Sequence, residues 1–445
     1  MNLRRSPFQL DNKAKNLYIK SSEIMKLKFT KVSKLMLGLF GLGLTLQLTG
    51  QEPMAAGKEK WLGNIYAGNQ VTDFTEYWNQ VTPENAGKWG SVEGTRDVFN
   101  WGALDNAYEL AKENGFPFRF HVLLWGSQQP DWIEDLSEEE QLEEIIEWMD
   151  EVAERYPEID YLEVVNEPLH QAPDGIGRGN YARALGGQGT TGWDWLIEGF
   201  RMARERFPNA QLVLNDYGIV GNASETSRYL KIINLLIEEN LIDVIGVQAH
   251  AFSTRGTAES MKETLDALAE TDLPIMATEM DIDGGTNLQL DDEEQLEGMQ
   301  RIFPVFWEHR HVVGVTFWGW RSGLWRSEQG AQLLTNSGQD RPALEWLRQY
   351  VEKSSGSVDL LSVDDPMNFS IYPNPVRNNA FTLQASEAIG KIEVLDLSGK
   401  VINQIKPSLG SLAKISLESS LPKGIYLVKT EFYNGEESTK RIVID

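Results

Sequence analysis

The sequence predicts an α/β architecture, a (β/α)8 TIM barrel, followed by a small all-β sandwich domain. Between Trp61 and Tyr350, apolar runs of strand length alternate with longer amphipathic segments, which implies a parallel sheet with helical crossovers. Eight such units in roughly 290 residues suit a barrel, which typically takes about 250. After Met367 the texture changes to short alternating segments separated by turns, the pattern of a small antiparallel sandwich. An open doubly wound sheet is the structural alternative for the larger part. It calls for a Gly-rich turn after the first strand, and none stands there.

Residues 1–52 read as an N-terminal extension and signal peptide. Lys26, Lys28, Lys31 and Lys34 precede an apolar run from Leu35 to Leu48, which matches a secretory leader and is short for a membrane span. The barrel is expected over 60–351. Its strand candidates are Leu62–Ile65, Gln80–Thr82, Phe118–Leu124, Tyr161–Val165, Gln211–Leu214, Val244–Val247, Ile275–Thr278 and Val313–Phe317. Helical periodicity marks Trp101–Asn114, Glu138–Tyr156, Trp193–Phe207, Thr226–Glu239 and Glu293–Trp307. Residues 352–366, rich in Ser and Asp, read as a linker, and 367–445 as the sandwich.

Charge is unevenly spread. The chain carries −25 overall, but residues 1–60 balance at +7, residues 367–445 at +1 and the body between them at −33. Such a body repels polyanions, so nucleic acid is excluded as a partner, whereas a neutral polymer is unaffected. Cysteine is absent, which removes disulfides, thiolate metal sites and cysteine nucleophiles. All 14 tryptophans lie between Trp61 and Trp346. The tail therefore lacks the rings on which a sugar-binding module usually relies.

Two strand candidates end on a glutamate: Tyr161–Val165 runs into Asn166-Glu167, and Ile275–Thr278 into Glu279-Met280-Asp281. Strand C-terminal ends face the active site of a β/α barrel. Two carboxylates there are what glycosidic bond cleavage requires, one as proton donor and one as nucleophile. Further polar clusters end other strands: Glu84, Asn85 and Lys88; His121, Trp125 and Gln128; Asn215-Asp216-Tyr217; Gln248 and His250; Trp318. Gln248 with His250, and Glu279 with Asp281, are two apart and expected to share a strand face. One such cluster is more often a cap or loop. Six or seven on one rim point to function.

In this combination the chain resembles glycoside hydrolase family 10, the endo-β-1,4-xylanases, over most of 61–350. The motifs are Glu84-Asn85-x-x-Lys88-Trp89, the strand-three His121, Trp125 and Gln128, Asn166-Glu167, Asn215-Asp216-Tyr217, Gln248-x-His250, Thr278-Glu279-x-Asp281, Trp318 and Trp325. The resemblance implies an endo-acting, retaining β-1,4-xylanase with Glu279 as nucleophile and Glu167 as acid/base. It implies sugar contacts from Glu84, Asn85, Lys88, His121, Gln128, Asn166, Tyr217, Gln248 and His250, and walls from Trp125, Trp318 and Trp325. His250, with Asp281 supporting it, is expected to orient Glu279, and the Glu279 charge to keep Glu167 protonated across about 5–5.5 Å. Two departures stand out. Gly126 follows Trp125 where members commonly have histidine, and the segment from Trp318 to Trp325 is one residue shorter than usual.

The glycine-rich stretch 174–192 lacks a phosphate-loop ending and is expected to be a rim loop on the leaving-group side. Asp281-Ile-Asp-Gly-Gly departs from a calcium loop, so no metal and no cofactor are expected. The tail motifs Tyr372-Pro-Asn-Pro375, Asp396-Leu-Ser-Gly-Lys400 and Gly424-Ile-Tyr-Leu-Val428 resemble the C-terminal sorting domain of the type IX secretion system. That implies secretion machinery as a partner and export through the periplasm to the cell surface or medium. The protein is expected to be a monomer whose substrate is xylan or a related neutral β-1,4-glycan. A β-1,4-glucanase or mannanase on the same scaffold, or a non-catalytic glycan-binding protein, are the rival readings.

Overall fold

The computed structural model describes residues 52–175, 179–284 and 289–354, and within the tail 369–372, 376, 380–385, 388–396, 400–407, 412–417, 421–433, 435 and 437–444. The expected leader through residue 51 and the linker beyond 354 lie outside the described residues, as do Pro373–Pro375 and Leu397–Gly399 of the tail motifs. Among the described residues no helix is long and apolar enough to cross a membrane.

Nine short strands build the barrel: β1 (Trp61–Ile65), β2 (Val81–Thr82), β3 (Arg119–Phe120), β4 (Leu124–Trp125), β5 (Tyr161–Asn166), β6 (Gln211–Asp216), β7 (Val244–Val247), β8 (Ile275–Met280) and β9 (Val312–Phe317). They run in the order β2-β1-β9-β8-β7-β6-β5-β3, with β4 also on β5. A parallel bridge from Val81 to Phe118 joins the two ends of that order, so the sheet closes on itself. Strands β5 to β8 are almost wholly buried, as apolar runs covered on both faces must be.

Two expectations need correction. The single strand expected at Phe118–Leu124 is two, β3 and β4, because three residues, His121 to Leu123, stand opposite only two of β5, Glu163 and Val164, and the extra residue interrupts the ladder. Strand β7 stops at Val247, so Gln248 and His250 do not share a strand face. Ala249 between them takes a left-handed φ of 59°, and it is this turn that aims both side chains.

Helices start where the local chemistry satisfies their free N–H groups. Ser137 with Glu140, and Asp291 with Glu294, form reciprocal capping boxes for Glu138–Arg155 and Asp292–Trp307. Near the site, four rings stack in a column: Phe99 on Trp101, Trp101 on Trp148 and Trp148 on Trp89, with centroids 5.4–5.9 Å apart. This column fixes the short helix Trp89–Val92 and so the Lys88 that precedes it.

The tail is a sandwich of antiparallel sheets. One holds Phe369–Tyr372, Ala380–Ala385 and Leu412–Ser416, the other Ile389–Leu395, Val401–Ile405, Gly424–Phe432 and Glu437–Ile444. Alternate residues such as Ile392 and Val394 from one sheet, and Phe381 and Leu383 from the other, meet in a single core.

Candidate active site

Polar side chains converge at the C-terminal ends of the strands, above a buried ion pair inside the barrel. Arg119 of β3 pairs with Glu163 of β5, and both are essentially inaccessible to water. Arg119 also donates to the Thr278 carbonyl (2.8 Å), and His121 Nδ1 lies 3.0 Å from Glu163. Two charges survive there only because each finds several partners.

Above this layer, Asn215 and Gln248 cross-brace the two glutamates. Asn215 accepts the Glu167 N–H on its carbonyl (2.8 Å) and donates from its side chain to Glu279 Oε1 (2.8 Å). Gln248 does the reverse, accepting the Glu279 N–H on its carbonyl (2.9 Å) and donating from Nε2 to Glu167 Oε1 (2.8 Å). Each glutamate is thus held by the backbone of one residue and the side chain of the other. Thr278 Oγ1 donates to Asn215 Oδ1 (2.8 Å) and fixes the amide's orientation. Asn166 Oδ1 accepts from both amides at 3.2 and 3.3 Å, which leaves its own amide N–H groups for a ligand.

Glu167 ends β5 with a left-handed φ of 54°, a conformation costing a non-glycine residue about 1–2 kcal/mol. The turn is held by His170 and Gln171, whose N–H groups donate to the Glu167 carbonyl at 3.1 and 2.7 Å. Trp125 Nε1 donates to Glu167 Oε2 (3.0 Å), and the buried Tyr181 hydroxyl braces the Trp125 backbone. Burial is the main force on the Glu167 carboxyl and pushes it up to about 7. The Gln248 and Trp125 hydrogen bonds oppose that, and the Glu279 and Asp216 charges add to it. Burial, more than the neighbouring carboxylate, therefore keeps this acid protonated.

Glu279 is the opposite case. Burial works against its charge, yet His250, His121 and Arg119 outweigh that and hold it well below the ordinary carboxylate range. His250 Nε2 lies 3.3 Å from Glu279, and its Nδ1 is 2.7 Å from Asp281, which also accepts the Ala251 N–H. Burial alone would lower the imidazole, but the Asp281 charge and hydrogen bond, with Glu279, carry it up to about 10. One buried carboxyl is kept neutral and its partner charged, which is the division of labour that acid-assisted nucleophilic displacement needs.

The remaining expected residues surround this pair. Lys88 Nζ donates to Asn85 Oδ1 (2.8 Å) and Gln128 Oε1 (3.3 Å) and lies 5.1 Å from the Trp125 ring centroid. Glu84 stands beside them, its carboxyl raised by burial with Lys88 and His121 pulling the other way. Trp318 is buried, edge-on to His121 at 5.3 Å and to His250 at 6.4 Å. Trp325 is 48% exposed and lies 4.8 Å from His250. Tyr217 stacks on His170 at 3.9 Å, and His170 Nδ1 bonds Asp216 at 2.7 Å. The described part of the glycine-rich loop lines a cavity of about 630 Å3 with Pro168, His170 and Gln171, directly after Glu167.

Several residues of the site carry no signal that sequence alone could assign. Arg119 and Glu163 read as an ordinary strand pattern, whereas the strand-end Asn215 stands out in the sequence but shows its bracing of both glutamates only through β5 and β8. Phe252, 43% exposed, meets Tyr217 edge-on at 5.7 Å and His250 at 5.3 Å. Gly126 has a steric reason. A Cβ there would lie 2.2 Å from the Gln171 carbonyl oxygen, so the loop after Glu167 occupies the space a side chain would need.

The model described as glycosyl hydrolase family 10 matches residues 51–350, and that of a secretion system C-terminal sorting domain matches residues 370–445. An endo-1,4-beta-xylanase B of Cellvibrio japonicus is 40% identical over 293 residues, 65% of this chain and 45% of that protein, so the chain spans less than half of that relative. A beta-1,4-xylanase of Dictyoglomus thermophilum is 28% identical over 269 residues, 58% of this chain and 74% of that protein. Native xylanase 10B of Thermotoga maritima superposes with a TM-score of 0.59 at 25% identity, covering 67% of this chain and 97% of that one.

Proposed function

The chain belongs to glycosyl hydrolase family 10 and carries a secretion system C-terminal sorting domain, and from that premise we propose that it is an exported, endo-acting, retaining β-1,4-xylanase. This reading rests on the pair of cross-braced glutamates, one raised to about 7 and so protonated below neutral pH, the other held charged. The relatives' names support xylan as the substrate.

In the first step Glu279 attacks the anomeric carbon while Glu167 gives its proton to the departing glycosidic oxygen. Glu279 is then an ester and its charge is gone. That removes one of the influences raising Glu167, so Glu167, having given up its proton, stays ionised and takes a proton from the attacking water as base. Water displaces Glu279, and the anomeric configuration is retained. The free amide of Asn166 is aimed to bond the sugar 2-hydroxyl, a contact that strengthens at the transition state. Asn85, Lys88, Gln128 and Glu84 hold sugars on the non-reducing side. Tyr217 and the 174–192 loop serve the leaving-group side, with Trp318 and Trp325 as walls. Every one of these side chains comes from a single chain, so we take the working unit to be a monomer; a dimer by light scattering would contradict this.

Reducing-sugar release from xylan, soluble cellulose and mannan tests the substrate. We expect xylan turnover that vanishes in Glu279→Ala. Preference for cellulose or mannan would reassign the substrate, and full activity of the variant would sink the assignment of Glu279.

A further inference from the structure

Three carboxylates that the cleft does not use meet beside Trp89. One carboxylate oxygen from each of Glu93, Asp97 and Glu144 lies within 4.8 Å of the other two. Glu93 directly follows the short helix Trp89–Val92, Asp97 stands in the turn beyond it, and Glu144 comes from the helix Glu138–Arg155. Glu93 and Glu144 are only 1% and 5% exposed, whereas Asp97 opens to solvent. The Glu93 carboxylate accepts Trp89 Nε1 at 2.7 Å and the Asp97 N–H at 2.8 Å. Glu144 Oε1 accepts Arg96 Nε at 2.8 Å. Its other oxygen, Oε2, is buried and has no hydrogen-bond partner among the described residues. A carboxylate oxygen taken out of water in this way is costly unless something else binds it.

The charges point to what that is. Arg96 sets one positive charge against three carboxylates. Glu147, exposed on the same helix as Glu144, adds a fourth, its carboxyl raised by burial and then by the Glu144 and Asp97 charges. Burial, with the Glu144 and Glu147 charges, also raises Glu93 against its two hydrogen bonds. Every donor in the cluster is oxygen, which suits a hard cation. Calcium bonds oxygen at about 2.3–2.6 Å, so ligands on its opposite sides stand about 4.6–5.2 Å apart, and three oxygens within 4.8 Å can share one ion. Magnesium, at about 2.0–2.1 Å, spans only about 4.0–4.2 Å.

We propose that Glu93, Asp97 and Glu144 hold a calcium ion. Water completes its shell on the open side at Asp97. The ion ties the turn after the helix Trp89–Val92 to the helix Glu138–Arg155. Through the bond from Trp89 to Glu93 it steadies the short helix that Lys88 precedes. It is a structural ion, since none of its three ligands contacts Glu167, Glu279 or the cleft residues around them. No local motif announces it, because its ligands come from a turn and from a separate helix.

Thermal unfolding of the full chain tests this. The protein is stripped with EGTA, exchanged into about 0.15 M NaCl to screen general charge effects, and melted with or without about 1 mM CaCl2. All 14 tryptophans lie between Trp61 and Trp346, so their fluorescence follows the barrel alone. Calcium should raise the midpoint by about 2–6 °C. Asp97→Asn keeps a residue that tolerates the left-handed φ of 61° at this exposed position, and Glu144→Gln neutralises the buried oxygen pair. Both variants should lose the gain, and calorimetric titration should show calcium binding at least about tenfold weaker in Asp97→Asn. Glu109→Gln, exposed on the helix Gly102–Asn114, should keep the full gain. A wild-type midpoint indifferent to calcium would overturn the site. So would a full gain retained in either cluster variant, which would place the ion elsewhere, or an equal loss in Glu109→Gln, which would mark general screening of the acidic body.

Discussion

Replacing Gln248 with methionine should move the alkaline limb of the pH–rate profile upward. Gln248 is buried, and its Nε2 donates to Glu167 Oε1 at 2.8 Å, a bond that favours the ionised form of that acid. A hydrogen bond to a charged acceptor is worth about 1.5–3 kcal/mol and to a neutral one about 0.5–1.5. The difference, about 1–1.5 kcal/mol, corresponds to about one pKa unit. Methionine keeps the length and volume of the side chain and leaves the backbone carbonyl that holds the Glu279 N–H. The sign follows directly. Losing a donor to the carboxylate stabilises the protonated form, so Glu167 titrates higher than its present value of about 7. Because kcat/KM reports the free enzyme and requires Glu167 protonated, its alkaline limb should rise to about 8. Initial rates on 4-nitrophenyl β-xylobioside between about pH 4 and 10 read this shift. The acid limb should stay in place, since Glu279 keeps its His250 and Asn215 contacts. An alkaline limb that stays put or moves down would refute the claim that Gln248 stabilises the ionised acid.

Other substitutions probe the support. Glu167→Gln should abolish turnover of xylan yet stabilise the fold at alkaline pH. The native acid is raised in the folded state, so its contribution is fully present below about pH 4.5 and lost as pH passes about 7, by up to roughly 3 kcal/mol. Thermal melts should show the variant gaining on wild type at pH 8 and not at pH 4. Arg119→Met removes the cationic partner of the buried Glu163, leaving it the His121 and Asn215 contacts, and should cost about 3–5 kcal/mol in urea unfolding. Because Arg119 also helps hold Glu279 ionised, the acid limb of kcat/KM should rise in the same variant. Gly126→Ala forces a Cβ onto the Gln171 carbonyl and should cost about 1–3 kcal/mol in the same assay, with a loss of kcat from the displaced Glu167 turn.

Much of this molecule could be read from its sequence, for a physical reason. Buried parallel strands are apolar along their whole length, so a polar residue at their end is conspicuous, and Glu167 and Glu279 stood out in that way. The helices were equally legible from periodicity, within one to three residues at the ends that could be compared. Other features depend on contacts across the barrel. Glu163 and Arg119 sit within short strands where nothing local announces a buried ion pair. The left-handed turns at Glu167 and Ala249 occur at residues that rarely adopt them, so no local preference foretells them. The effect of Gly126 depended on where the 168–174 loop travels, which only the folded chain settles. The Glu279 charge was expected to set the state of Glu167, whereas burial is the larger influence.

In the proposed mechanism Glu279 forms a covalent bond to the sugar while Glu167 supplies and recovers the proton. Trapping the glycosyl-enzyme identifies the residue that carries the sugar. A 2-deoxy-2-fluoro-β-xylobioside bearing a dinitrophenolate leaving group needs little acid assistance, and its fluorine slows breakdown of the glycosyl-enzyme. Intact-mass and peptide mass spectrometry should find one equivalent of the fluorinated disaccharide on the peptide containing Glu279. An adduct on another residue would contradict the assignment. So would turnover without any adduct and with the α-anomer as first product.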